Sequence, residues 1–109
     1  MALDQEGSNF QWSVVKEWSG GRGVEHEPEP FTRPAARSWR IAYRTEAEKN
    51  VAGVVDVVIL TKDHKMVASA YNLQGKVSGF FTVTGEETEY YLEVKSYGPD
   101  WWVAVEQAQ

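Results

Sequence analysis

From Trp39 to Arg44 apolar and polar residues alternate, with Trp39, Ile41 and Tyr43 on one parity and Arg40, Ala42 and Arg44 on the other. Successive side chains of a strand point to opposite faces, so a period of two marks a strand with one buried face. The pattern recurs along the chain. Phe10, Trp12, Val14, Lys16 and Trp18 share a parity, as do Val77, Gly79, Phe81 and Val83, then Tyr90, Leu92 and Val94, then Trp101, Val103 and Val105. Gly53 to Thr61 is valine-rich and apolar on both parities, which suits a central strand, and Met66 to Tyr71 reads as another.

Turn signals separate these segments: Ser19 to Gly23, Lys62 to Lys65, Asn72 to Gly75, Gly85 to Glu87 and Tyr97 to Asp100. Residues 19–30 hold three glycines and two prolines and read as a long loop or an irregular sheet edge. Residues 46–50 read as a solvated loop. No segment sustains the 3.6-residue period of a helix. The expectation is an all-β, antiparallel β-sandwich of seven or eight strands, jelly-roll-like, forming one domain over residues 10–107 behind a flexible segment at 1–9.

A chain of 109 residues buries roughly two thirds of its unfolded surface, enough for one core without covalent staples. There is no cysteine, which excludes disulfides and thiolate metal sites and leaves the redox compartment open. The formal net charge of -5 repels phosphate backbones and argues against nucleic acid as a partner. No apolar run approaches the roughly 20 residues of a membrane-spanning helix, so no membrane insertion is expected. Met1 to Glu6 has neither the basic start nor the apolar stretch of a secretory signal.

The expectation for chemistry is that the chain is not an enzyme. Its only histidines are His26 and His64, and it has no G-x-S-x-G elbow, no H-E-x-x-H and no phosphate-cradling glycine loop opening a helix. Two features remain. In Glu25-His26-Glu27-Pro28-Glu29 an extended chain would project Glu25, Glu27 and Glu29 to one side. Three carboxylates there would suit a hard cation such as calcium; the alternative is a solvated acidic segment that keeps a sheet edge from pairing.

The second feature is aromatic. Trp12, Trp39, Tyr43, Phe81, Tyr90 and Trp101 lie on apolar parities and read as core. Phe80, Tyr91 and Trp102 lie on mixed parities, beside Ser78, Thr82, Glu89, Glu93, Lys95 and Glu106. An aromatic row on a polar face stacks on sugar rings or anchors a protein partner. Three readings compete with a joint surface: alternation of strands between sheets would separate Tyr91, a bulge would exchange the faces, and the N-terminal segment would cover the row. Arg37, Arg40 and Arg44 read as a basic strip, for which cross-strand ion pairs are the plain explanation.

Three stretches carry a family resemblance: Trp39-Arg40-Ile41-Ala42-Tyr43; Asp56 to Leu60 with its charged turn; and Gly79 to Gly85 followed by Tyr90 to Ser96 and Trp101 to Val105. Through them residues 31–107 resemble the pre-peptidase C-terminal domains of secreted bacterial proteins, and more loosely the CUB-like jelly-roll modules. The chain departs from them in its extra Phe10–Trp18 strand and in lacking the CUB cysteines and a cluster of aspartates in the strand-joining turns. The resemblance implies a non-catalytic binding or accessory module of a secreted or cell-surface system, extracytoplasmic, with a protein or polysaccharide as ligand. The alternatives are a structural or assembly protein that oligomerises through sheet edges and a domain with no small-molecule ligand. No cofactor is expected beyond the calcium option.

Overall fold

A computed structural model describes residues 11–21, 25–36, 38–46 and 53–108, and the backbone alone for 25–27. The segment 1–9, Phe10, Arg37 and most of the 46–50 loop lie outside the described residues. Within them the chain forms β1 (Trp12–Gly20), β2 (Glu25–Thr32), β3 (Trp39–Glu46), β4 (Val54–Leu60), β5 (Met66–Gln74), β6 (Ser78–Phe81), β7 (Glu89–Ser96) and β8 (Asp100–Ala108). Two four-stranded sheets result, in the orders β1-β8-β3-β6 and β2-β7-β4-β5, and every pairing is antiparallel. This interleaved order is that of a jelly roll, as the spacing of strands and turns predicts. We call the first sheet A and the second sheet B.

The core lies between the sheets. Sheet A contributes Trp18, Ile41, Trp101, Val103 and Val105, and sheet B contributes Phe31, Val55, Val57, Ile59, Tyr90, Leu92 and Val94, all buried. Burying each large side chain is worth about 1.5–3 kcal/mol, so these rows dominate what holds the sheets face to face. β4, apolar on both parities, is a central strand between β7 and β5. The Lys62–Lys65 turn closes the β4–β5 hairpin. His64 sits there at φ 64°, and the Thr61 hydroxyl accepts from the Asp63 and Lys65 amides at 3.3 and 3.2 Å.

One segment takes the second of its two expected forms, and one departs from its pattern. The acidic, proline-bearing stretch is an irregular sheet edge rather than a loop: it is edge strand β2, paired only to β7 with a register shift between His26 and Glu29. Proline lacks a ladder donor, and an edge strand tolerates that on its unpaired side. In β1 the register slips between Val14, opposite Glu106, and Lys16, opposite Val105. Val15 is therefore the extra residue of a β-bulge, which exchanges faces. Trp18 points into the core, while Trp12 and Val14 fall on the outer face with Glu106 and Ala108. The assignment of Trp12 to the core is thus corrected: one inserted residue breaks the alternation on which it rests.

Candidate functional site

The outer face of sheet A is built from the parity that the core does not use. Across the strands, Ser19, Trp102, Arg44 and Ser78 form one row, Glu17, Ala104, Ala42 and Phe80 the next, and Val14, Glu106 and Arg40 a third. The central row is low, because Ala42 and Ala104 are short; longer neighbours overlie them and leave both buried. On one side Trp102 and Arg44 stand up; on the other Arg40 does, between Trp12, which lies opposite Ala108, and Phe80 at the end of the central row.

Those groups are locked together. The Arg40 guanidinium carbon lies 4.1 Å from the centre of the Trp12 ring and 4.3 Å from that of Phe80. Arg40 Nε also donates to Glu106 Oε1 at 2.7 Å, a pair in which both side chains are largely covered. Arg44 lies over Trp102 at 4.5 Å, and Trp102 Nε1 donates to Glu17 Oε1 at 2.7 Å. A ring's negative face attracts a guanidinium by about 0.5–1 kcal/mol when exposed and about 2 when desolvated. The face is therefore preorganised, with Phe80 exposed on top. Among the described residues no carboxylate lies within ion-pair range of Arg44.

The three aromatic residues singled out from sequence do not form one surface. Phe80 on β6 and Trp102 on β8 share the outer face of sheet A; Tyr91 on β7 belongs to sheet B. The connections from β6 to β7 and from β7 to β8 each cross between sheets, as most jelly-roll connections do. Tyr91 instead lies 6.2 Å from the His64 ring, and its hydroxyl donates to Glu89 Oε1 at 3.4 Å. Trp12 joins the sheet A surface in its place, and periodicity missed it for the reason given above.

The acidic stretch is also not a simple alternation. Backbone register sets Glu25 opposite Lys95 and Glu29 opposite Leu92, with a shift between His26 and Glu29. Glu29 accepts from Trp18 Nε1 at 3.1 Å. The side chains of Glu25 and Glu27 lie outside the described residues. Among the described residues no group of three His, Asp or Glu side chains is arranged to hold a metal ion.

A second concavity lies at one end of the sandwich, where the β2–β3 and β6–β7 connections meet. It is an open cleft of about 640 Å³, lined by Arg33, Trp39, Val83, Thr84, Glu86 and Thr88 among others. Trp39 is half-buried and packs against Phe31 and Tyr90 at ring-centre distances of 6.2 and 5.7 Å. The walls are tied across the gap, since the Arg33 amide donates to Thr88 O at 2.8 Å and Arg33 Nη1 to Gly85 O at 3.3 Å. Gly85 has φ +144°, and a Cβ there would sit 2.9 Å from Tyr90 Oη. The Glu87 amide donates to that hydroxyl at 3.2 Å. The core tyrosine thus fixes the turn that forms one wall. Sequence reasoning assigned Trp39 to the core and did not find this cleft, because its walls come from two distant connections.

Set against known proteins, the chain matches no family model, and no curated protein matches it significantly.

Proposed function

We propose that this chain is a non-catalytic binding module whose ligand is a protein, and that the outer face of sheet A is its contact surface. The observation that carries the reading is the Arg40 guanidinium held against both Trp12 and Phe80. Tryptophan and arginine are the residue types that most often dominate protein interfaces, and rings already fixed in place lose little entropy on binding. A polysaccharide fits this face less well. Sugar rings stack on open aromatic faces, whereas Trp12, Phe80 and Trp102 each have a guanidinium over the ring. The partner would meet the exposed Phe80 with an apolar group and offer a carboxylate to Arg44.

The resemblance of residues 31–107 to pre-peptidase C-terminal and CUB-like modules supports the same class of function and an extracytoplasmic home. The test is affinity for a partner isolated from the native organism on the immobilised wild-type chain. Arg44→Glu and Trp102→Ala are expected to weaken it at least about tenfold, and Tyr91→Ala to leave it unchanged. A partner that binds all three variants alike would refute the assignment of the face.

A second reading, assembly through a sheet edge, has one observation in its favour. β5 is an edge strand of nine residues, MVASAYNLQ, without proline or charge. Such edges are open to pairing with another strand. Light scattering across a hundredfold range of concentration separates the readings: a constant oligomer supports assembly and a constant monomer removes it.

A further inference from the structure

We infer that the end cleft beside Trp39 is a separate binding site for a single pyranose unit of a saccharide. Its volume of about 640 Å³ falls within the range of roughly 300–1,000 Å³ typical of small-molecule sites. The composition is that of a sugar site: one indole for the apolar C–H face of the ring, with polar groups for its hydroxyls. Trp39 differs from Trp12 and Trp102 in the point that counted against sugars on sheet A. Its ring partners are the core residues Phe31 and Tyr90, and among the described residues no cation is stacked on it. Around it stand Thr84 and Thr88, which donate and accept, Glu86, which accepts, and Arg33, which donates.

The cleft is also prepared in advance. Arg33 links the two walls through Thr88 O and Gly85 O, and Tyr90 Oη holds the turn at Glu87. A site whose loops are fixed before binding loses less on ordering. Glu86 is exposed and can be replaced without disturbing the core, whereas Trp39 also supports Phe31 and Tyr90.

The inference stands apart from the sheet A reading, and one experiment separates them. Glucose, galactose, mannose, N-acetylglucosamine and xylose, with β-linked tetrasaccharides of glucose, mannose, xylose and N-acetylglucosamine, are titrated into the full chain while two-dimensional NMR follows backbone amides and indole N–H groups. At least one sugar is expected to shift the Trp39 indole and the Thr84 and Thr88 amides saturably. Glu86→Ala is expected to weaken that sugar at least about tenfold, and Trp39→Ala to abolish the response. Trp102→Ala is expected to leave it unchanged. No saturable shift from any sugar, or shifts confined to residues outside the cleft, would overturn the inference. Should Trp39→Ala fail to fold, Glu86→Ala decides: unchanged affinity counts against the cleft. Failure here leaves the protein-binding face intact, and failure of that face leaves the sugar response intact.

Discussion

The Arg40 guanidinium carbon lies 4.1 Å from the centre of the Trp12 ring, although the two residues sit on strands separated by β8. The contact ties the outer edge of sheet A to its interior, and the same guanidinium reaches Phe80 at 4.3 Å and Glu106 at 2.7 Å. Lysine keeps the charge but loses the planar stack and the fork of donors. Arg40→Lys should therefore destabilise the fold by about 1–2 kcal/mol, measured by urea unfolding. In a Trp12→Ala background the same substitution should cost less, because part of the interaction is already gone. Additive losses would show that the two residues do not act together.

Gly53, the residue before β4, has φ +133°, and a Cβ at this position would run into the carbonyl of Tyr97 in the β7–β8 turn. The two segments are also joined by a bond from the Tyr97 amide to Val54 O at 2.8 Å. Gly53→Ala combines a disfavoured dihedral with a backbone clash and should cost about 3 kcal/mol or more. A thermal melt within a degree of wild type would contradict this.

Thr45 is buried at the end of β3. Its hydroxyl donates to Gly75 O at 2.8 Å and accepts from the Val77 amide at 3.2 Å, pinning the corner between β5 and β6. Thr45→Val keeps the shape and strands two backbone groups, a loss of about 1–3 kcal/mol. Hydrogen exchange at the Val77 amide should accelerate by more than exchange at amides in the centre of β8. Uniform acceleration would place the effect in global stability alone.

Much of this fold can be read from residue order, because strand and turn chemistry are local. The Trp39–Arg44 alternation puts Ile41 in the core and Arg40 and Arg44 outside. Plain alternation fails at Trp12, where Val15 adds one residue, and a bulge has no strong local signature when valine fills it. Pro28 and Pro30 argue against a central strand, but edge placement is a tertiary fact that the prolines only permit. Topology explains the division of the aromatic set: Phe80, Tyr91 and Trp102 look equivalent by parity, and only the exchange of strands between sheets sends Tyr91 to the other face. The cleft was the least legible feature, since Arg33 and Gly85 meet through contacts far apart in the chain.

The most direct test of the sheet A face is site-specific photocrosslinking in the native organism, with a benzophenone amino acid placed at position 80 in one variant and at position 91 in another. Position 80 is predicted to capture a discrete protein adduct, and position 91, on the opposite sheet, to capture none of it. The same adduct from position 91, with none from position 80, would contradict the account.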